Sequence, residues 1–374
     1  MKFDLSVYEI KDTQEIISPA LIYYEDIIRA NVMKAIEMAG GAHRLCPHVK
    51  SHKMSAVVRM QLEMGITRFK CATIAEAQML ADSGARKIVL SYPLVGPNIA
   101  RFAALAEKYR DCYFWAIGDD LEQISLLGKK FAASGSEARL LVDVNMGMNR
   151  TGVPLDELEE FCRKCVAIDG VSLEGLHCYD GHNTNSNRAL RDGCAAHSHD
   201  RVMEIQAGLK AEDIPLDMII MGGTPAFPCY TGYSDILMSP GTFFLGDYGY
   251  ACAFRDMNFI PGVAVLSRVI SHPAPGMFTI DAGSKGIAAD PAGVRGVIVG
   301  YENDVRPILQ SEEHWVFQMV DGSGRTRPPI GTVLYVIPTH VCPTSALYPA
   351  AVAVKGKEAG EFWEVTARNR KITV

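Results

Sequence analysis

Short apolar runs alternate with longer amphipathic stretches from about residue 20 to residue 250, and this alternation constrains the fold more than any other feature of the chain. Ala20–Tyr24, His43–Val49 and Phe69–Ala72 have the composition of strands, and each is followed by a stretch with helical periodicity. About eight such strand and helix pairs predict a parallel (β/α)8 TIM-type barrel. Ala20–Tyr24 and His43–Val49 are predicted as its first two strands.

The pattern of apolar residues changes after about residue 250. Runs such as Val263–Ser271 and Trp315–Met319 have strand composition, are separated by Gly, Pro and Asp, and show no helix-length period. They predict a second, mainly antiparallel β domain. We therefore expect a barrel over residues 18–250 and a β domain over residues 251–374, which a strand from residues 1–17 joins.

Charge and cysteine usage narrow the classes of function. The net charge is -6, which disfavours nucleic acid or an anionic membrane as a partner, since both attract a basic surface. The ten cysteines are scattered, the first residues lack an apolar signal region, and no apolar run approaches the ~18 residues of a membrane span. These features predict a reducing, cytoplasmic location with most cysteines as thiols. Cys162 and Cys165 have CxxC spacing, but they lie on a helical pattern without a second pair.

The segment Pro47–Lys53 places Lys50 between His48 and His52, just after the second predicted strand. Catalytic side chains of such barrels lie at the carboxyl ends of the strands. A lysine that forms a Schiff base must spend time as a neutral amine, and burial with nearby positive charge lowers its pKa. On an extended segment the two histidines would share the face of Lys50. The alternative is an ordinary polar strand end.

Two glycine-containing turns follow late strands of the predicted barrel. Gly222-Gly223-Thr224 comes after Met218–Met221, and Pro240-Gly241-Thr242 comes about 17 residues later. Glycine lets backbone N–H groups approach a phosphate closely, and threonine adds a hydroxyl. The two turns together predict a phosphate site, although each alone is also compatible with a simple tight turn.

Three further titratable groups follow predicted barrel strands. Arg150 lies in a loop with several glycines and is suited to hold an anionic oxygen. Tyr179 and His182 follow a later strand, where His182 is a candidate general base near neutral pH. A surface arginine and a histidine in a polar loop are the alternatives.

His340 and Cys342 are two residues apart after a predicted strand, so their side chains can face one way. An imidazole and a thiolate suit Zn²⁺, and Mn²⁺ or Mg²⁺ are further candidates. Two protein ligands would leave positions open for water and substrate, as in a catalytic site. The alternative is a buried thiol beside a structural histidine.

Taken together, these segments resemble the D-threonine aldolase/D-serine dehydratase family, which is similar in fold to bacterial alanine racemase. The resemblance covers roughly residues 18–350, and the lysine and His-x-Cys-Pro-Thr segments are its most specific parts. It rests on Pro47–Lys53, Met148–Gly152, Gly222–Thr224, Pro240–Thr242, Asp281–Lys285, Ser311–His314 and His340–Thr344.

The resemblance implies a pyridoxal 5'-phosphate (PLP) enzyme with a divalent metal (Zn, Mn or Mg) that assembles as a homodimer. Lys50 would carry PLP as a Schiff base, Arg150 would contact its phenolic oxygen, and Tyr179 would lie near its pyridine nitrogen. His340 and Cys342 would bind the metal. The phosphate would be held by Gly223, Thr224, Gly241 and Thr242.

Three positions depart from the relatives that the chain resembles. Cys46 stands where the family often has arginine, and Ser239 stands where alanine racemases have an arginine that faces the ring nitrogen. Cys342 stands where many aldolases have aspartate, and a cysteine is typical of the dehydratases. These departures disfavour a racemase and leave two lyase reactions open.

The leading hypothesis is a lyase for small β-hydroxy-D-amino acids that performs retro-aldol cleavage to glycine and an aldehyde, with His182 or a metal-bound hydroxide as the base. The close alternative is dehydration of D-serine or 3-hydroxy-D-aspartate to a 2-oxo acid and ammonia, with Lys50 as the base at Cα. More distant alternatives are a metal-free amino-acid racemase and a non-catalytic PLP carrier.

Overall fold

The computed structural model describes residues 1–214 and 216–374, and the chain forms two compact units. One unit holds residues 34–241 and 369–374, and the other holds residues 1–33 and 242–368. The boundaries of these units differ from those of the predicted domains, residues 18–250 and 251–374. The domain ranges therefore stay a prediction.

Helices and strands alternate along most of the first two thirds of the chain. In the described residues, no helix combines the length and the apolarity that a membrane crossing requires. The helices are α1 (Leu5–Tyr8), α2 (Glu25–Ala39), α3 (Ser55–Glu63), α4 (Ile74–Asp82), α5 (Pro97–Lys108), α6 (Leu121–Ala132), α7 (Leu158–Val166), α8 (Arg188–Lys210), α9 (Tyr248–Ala253) and α10 (Val341–Leu347). The strands are β1 (Ala20–Tyr24), β2 (Arg68–Cys71), β3 (Lys87–Leu90), β4 (Tyr113–Gly118), β5 (Ala138–Asn145), β6 (Val153–Pro154), β7 (Val171–Cys178), β8 (Met218–Met221), β9 (Leu237–Met238), β10 (Val263–Ser271), β11 (Met277–Ile280), β12 (Gly296–Ile298), β13 (Val305–Gln310), β14 (Trp315–Met319), β15 (Val333–Pro338), β16 (Ala350–Lys355) and β17 (Glu358–Glu364).

The unit of residues 34–241 is built on a curled parallel sheet. Its strands follow the order β2-β3-β4-β5-β7-β8-β9, with β6 beside β5, and every pairing is parallel. Central strands such as β8 are buried along their whole length, as expected when helices cover a parallel sheet. The predicted α/β class, with its parallel sheet and following helices, is confirmed.

The segment predicted as the second barrel strand, residues 43–49, does not form a strand. It lies between the two edges of the parallel sheet, where Leu45 bridges Met238 and His48 bridges Lys70. Pro47 has no N–H to donate to a ladder. The chain then enters a 3-10 turn over Val49–Ser51, so the prediction of a regular strand was wrong.

The first predicted barrel strand belongs to the other unit. β1 pairs with β10 in antiparallel orientation and with β16 in parallel orientation. All five of its residues are buried, so its apolar run is equally suited to either sheet. The prediction that Ala20–Tyr24 opens the barrel was wrong, and β1 rather than a strand from residues 1–17 joins the β unit.

The unit of residues 1–33 and 242–368 carries a nine-stranded, mainly antiparallel sheet, as predicted. The strand order is β13-β14-β11-β10-β1-β16-β17, and β15 pairs with both β10 and β12. Its core includes Phe278, Trp315 and Phe317, with the last two ring centroids 4.7 Å apart. Burial of such aromatic side chains dominates the stability of a β core.

At Gly175 in β7 the backbone of the neighbouring strand β8 leaves no room for a side chain. A Cβ atom at this position would lie 1.8 Å from the carbonyl oxygen of Met218 in β8. We expect Gly175→Ala to lower the free energy of unfolding by about 3 kcal/mol, because the two strands would have to separate. Urea unfolding measures the loss.

The matched control for this substitution is Gly193→Ala in α8, where a Cβ would meet open space. Alanine there is expected to raise the free energy of unfolding by up to about 1 kcal/mol, because glycine is a poor helix former. An unchanged urea midpoint for Gly175→Ala would show that the strands can yield without cost.

Candidate active site

A cavity of about 450 Å³ opens within the unit of residues 34–241, and its size suits a small ligand. Its wall includes three side chains that can carry positive charge, Lys50, Lys70 and Arg150, together with Tyr179. Lys70 lies near the carboxyl end of its strand, and Arg150 and Tyr179 lie beyond the carboxyl ends of theirs, where a parallel sheet places its chemistry.

Lys50 is half-buried in the 3-10 turn, and the two histidines beside it cap that turn. The Nδ1 atom of His48 accepts the backbone N–H of Lys50 at 3.3 Å, so its proton is on Nε2, which lies 3.2 Å from the hydroxyl oxygen of Ser91. The Nδ1 atom of His52 accepts the backbone N–H of Met54 at 3.0 Å. The expected extended segment, with three side chains on one face, is therefore not formed.

Both histidines are neutral near neutral pH. Burial lowers the pKa of His48 well below its ordinary value, and the charge of Lys50 lowers it further. Burial likewise lowers the pKa of His52 to about 3, with a smaller contribution from the charge of Lys53. The histidines therefore remain uncharged and shape the turn that carries Lys50.

The depressed pKa of His52 predicts a loss of stability in acid. Its pKa is about 3 in the folded chain and 6.5 in the unfolded one, so the unfolded state binds the extra proton between these values. Its contribution is fully present above pH 6.5 and is lost as the pH falls toward 3, by up to about 1.4 kcal/mol per pH unit. His52→Asn keeps an acceptor for Met54 but cannot titrate, so we expect a flatter slope of unfolding free energy between pH 6 and 4, roughly one proton less.

Urea titrations of the unfolding free energy at several pH values measure this slope. His43→Asn is the control, because His43 is exposed, and we expect it to keep the parent slope. Equal slopes for His52→Asn and the parent chain would show that His52 is not held neutral by burial.

Lys70 is a site residue that the sequence reasoning missed. It is 1% exposed, its Nζ atom donates to Ser239 Oγ at 2.7 Å, and it lies 3.3 Å from His177 Nε2. His177 Nδ1 is 2.7 Å from Asp143 Oδ1. Burial lowers the pKa of Lys70 to about 7. The signal in the sequence was a single lysine inside the otherwise apolar run Phe69–Ala72.

The ring of Tyr179 lies close to the two amines and the guanidinium group of the cavity. The Nζ atoms of Lys50 and Lys70 lie 5.8 Å and 5.2 Å from its centroid, and the Cζ atom of Arg150 lies 4.9 Å from it. These distances are in the range of cation–π contacts. The structure thus brings together Lys50, Arg150 and Tyr179, three of the predicted site residues.

The two glycine turns are adjacent. Thr224 Oγ1 in the first turn accepts the backbone N–H of Gly241 in the second, at 3.1 Å. A Cβ on Gly223 would lie 2.8 Å from Tyr179 Cε2, and one on Gly241 would lie 3.1 Å from the carbonyl oxygen of His48. A side chain would therefore clash at Gly223 and would be crowded at Gly241. A backbone cradle of this kind, beside a cavity with an amine and an arginine, fits a phosphorylated aldehyde such as PLP.

The predicted metal pair lies in the other unit. His340 precedes α10 with its Nδ1 atom 3.1 Å from Asp290 Oδ2, and Cys342 Sγ is 3.3 Å from Thr242 Oγ1. Burial lowers the pKa of His340, but its contacts with Cys342, Asp247 and Asp290 outweigh this and raise the pKa to about 9.

The donor set of this pair fits a metal only in part. A carboxylate on one imidazole nitrogen is the arrangement that orients metal-binding histidines. In residues 1–214 and 216–374, however, no group of three His, Cys, Asp or Glu side chains is assembled for an ion. His340 and Cys342 therefore offer a pair of ligands that other groups would have to complete.

His182 stands apart from the predicted site. It is exposed, and its Nε2 atom lies 3.1 Å from the place of a Cβ on Gly147. Among the described residues, the side chains that line the cavity do not include His182. Its role as a base stays a prediction.

Two family models cover most of the chain. Residues 25–249 match the model described as alanine racemase, N-terminal domain, and residues 262–354 match the model described as putative serine dehydratase domain. The first match alone spans more than half of the 374 residues.

Several characterised proteins are similar to this chain along nearly the whole length of both sequences. D-threonine aldolase of Arthrobacter sp is 29% identical over 94% of this chain and 92% of its own. D-threo-3-hydroxyaspartate dehydratase of Delftia sp. is 24% identical over 93% and 96%. The crystal structure of D-threonine aldolase from Filomicrobium marinum superposes with a TM-score of 0.85 at 28% identity, and covers 95% of this chain and 96% of that one.

These similarities confirm the predicted family, and with it the enzyme class at the level of the family, a PLP-dependent lyase. The chain belongs to the alanine racemase N-terminal domain family.

Proposed function

We propose that the chain is a PLP- and divalent-metal-dependent lyase that cleaves β-hydroxy-D-amino acids to glycine and an aldehyde. The observation that carries the proposal is the amine of Lys50 on a cavity that also holds Arg150 and Tyr179. Similarity to the D-threonine aldolases of Arthrobacter and Filomicrobium over nearly the whole chain supports this substrate class.

The residues of the cavity have distinct roles in this proposal. Lys50 would hold the aldehyde of PLP through its amine, Arg150 would hold the phenolic oxygen, and Tyr179 would contact the pyridine ring at its nitrogen. The buried hydroxyl of Thr224 and the backbone of Gly223 and Gly241 would hold the phosphate, together with the hydroxyl of Thr242, which follows them in the chain. When bound, PLP supplies an electron sink for the bond that breaks at Cα.

His340 and Cys342 hold the divalent ion, which is Zn²⁺, Mn²⁺ or Mg²⁺ in this proposal. Asp290 on the Nδ1 atom of His340 keeps the imidazole oriented. Such an ion acidifies a hydroxyl group that it binds. Two protein ligands leave coordination positions for the hydroxyl of the substrate.

Dehydration is the second candidate, and Cys342 is the observation that favours it. The His-x-Cys spacing is typical of the dehydratases that the chain resembles, and the serine dehydratase model covers residues 262–354. In this reaction Lys50 removes the Cα proton, and the products are a 2-oxo acid and ammonia.

Product analysis with D-threonine separates the two reactions. The chain is loaded with PLP and Mn²⁺ or Zn²⁺, and the products are identified after incubation. Glycine and acetaldehyde support the aldolase, and 2-oxobutanoate and ammonia establish the dehydratase. D-serine and 3-hydroxy-D-aspartate are assayed in parallel for substrate preference. If none of these amino acids is consumed while PLP is bound, the proposed function is wrong.

The cytoplasmic location and the homodimer belong to the same proposal. All ten cysteines are free thiols in the structure, which is consistent with a reducing compartment. The overall negative charge supports a small-molecule substrate over nucleic acid or an anionic membrane as a partner.

A further inference from the structure

The hydrogen bonds of Lys70 define which position on its Nζ atom is open to a ligand. Ser239 Oγ donates to the carbonyl oxygen of Gly222 at 2.6 Å, so it accepts a hydrogen from Lys70. Asp143 lies on Nδ1 of His177 and fixes the proton there, which leaves Nε2 as an acceptor for Lys70. A neutral amine has two N–H groups, and these two partners use both. The third position on Nζ then carries a lone pair.

The charges around Lys70 keep its amine easy to deprotonate. In the described residues no carboxylate lies within ion-pair distance of Nζ. Its pKa is lowered to about 7, chiefly by burial; Cys46 and Asp143 raise it, and the charges of Lys50 and Arg150 add to the lowering. Three other side chains of titratable type face Lys70: His48 from the adjoining segment, His177 from β7, and Tyr179. The Ser239 hydroxyl, which follows β9, is the remaining polar group that faces it.

We propose that Lys70 is an acid–base residue of the cavity, and that it exchanges a proton with a group bound there through the third position on Nζ. Three observations carry this inference: the side chain lines the same cavity as Lys50, its two other positions are fixed by Ser239 and His177, and it has no carboxylate to hold it as a permanent cation. The inference rests on the proposed function for the identity of the substrate.

The proton transfer balances within one turnover. The lone pair of Lys70 Nζ forms an N–H bond as an O–H bond of the substrate hydroxyl breaks, and the electron pair stays on the oxygen. As the Cα–Cβ bond breaks, that oxygen becomes the carbonyl oxygen of the aldehyde. Lys70 then returns the proton to Cα of the glycine product. No oxidant, reductant or further reactant is needed, and Lys70 ends neutral.

The first test measures the amine itself in the chain without cofactor. The protein is labelled with [ε-¹³C]lysine and titrated by NMR, and the Lys70 signal is the one missing from Lys70→Met. A midpoint near 7 is expected. A midpoint near 10, the ordinary value for lysine, would overturn the proposal, because Lys70 would then be a fixed cation at neutral pH.

The second test separates catalysis from binding in the loaded enzyme. We expect Lys70→Met to lower kcat by about 100-fold or more, a typical effect of removing a general acid or base, with little change in KM or in cofactor absorbance. The fall of kcat/KM on the acid side, set by a pKa near 7 in the parent enzyme, should disappear in the variant. Lys70→Gln is a second neutral variant in case the methionine variant does not fold.

Lys87→Met is the matched control, because Lys87 lies at the opposite end of the neighbouring strand β3 and does not line the cavity. It should keep the parent kcat and the parent pH profile. A kcat for Lys70→Met within about threefold of the parent would refute the proposal, as would a variant that loses cofactor binding, since Lys70 would then be a binding residue. If the parent enzyme cleaves none of the tested amino acids, the proposed function fails, while the NMR midpoint still decides whether Lys70 is a free base.

Discussion

Replacing Lys50 by alanine is expected to abolish turnover, with kcat lowered on the order of 10³-fold or more. The amine of Lys50 is the group that we propose bonds to the cofactor, and alanine cannot replace it. The absorbance of the lysine-bound cofactor should disappear as well. Borohydride reduction of the parent enzyme should fix the cofactor on the peptide that contains Lys50, as seen by mass spectrometry. Added methylamine should restore part of the activity, because it supplies an external amine.

The control is Lys130→Ala, which removes an exposed lysine from α6 and should leave activity and absorbance unchanged. Full activity of the Lys50→Ala enzyme would contradict the proposed function. Reductive fixation of the cofactor on Lys70 would contradict both the role of Lys50 and the acid–base role of Lys70. The peptide map therefore distinguishes the amine of Lys50 from that of Lys70 directly.

Removal of either residue of the metal pair is expected to have the next largest effect. His340→Ala and Cys342→Ala should each reduce bound divalent ion from about one per chain to a small fraction, and should lower kcat by about 100-fold. Chelation of the parent enzyme should lower kcat to a similar level. Mn²⁺ or Zn²⁺ should then restore the parent enzyme and not the variants, because each variant lacks a ligand.

Cys194→Ala is the control for thiol loss, since Cys194 is exposed in α8. It should bind metal and turn over as the parent enzyme does. Full activity after exhaustive chelation would remove the metal from the proposal and would favour a racemase or another metal-free reaction. Metal content measured by elemental analysis shows whether chelation was complete.

The alternation of strands and helices could be predicted from the sequence because each strand of a parallel sheet is buried on both faces and each helix on one. The same burial limits the prediction. β1 is apolar at every position, and nothing in such a run says which sheet it joins. Its partners β10 and β16 lie more than 230 residues further along the chain, so the run itself does not identify them.

In the site, too, some features could be predicted from a short segment of sequence, and others depend on residues that are distant in the chain. Lys50 and the two glycine turns are recognisable from their neighbours in the sequence. The turn around Val49–Ser51 is not recognisable in this way, because the rings of His48 and His52 accept backbone N–H groups in their neutral form, and burial by the rest of the fold keeps them neutral. Lys70 gives no local signal beyond its charge, since its partners His177 and Ser239 are more than 100 residues away.

The connectivity of the two units has a consequence for synthesis on the ribosome. Residues 34–241 form an uninterrupted stretch that holds every strand of the parallel sheet, so its pairing partners have all emerged before the chain reaches β10. β1 emerges first, yet one of its partners, β16, comes more than 320 residues later. In a nascent chain, β1 is therefore an apolar strand without partners, and it is prone to aggregation while residues 34–241 fold. Among the strands of this sheet, β1 is made first and is among the last to be paired on both sides.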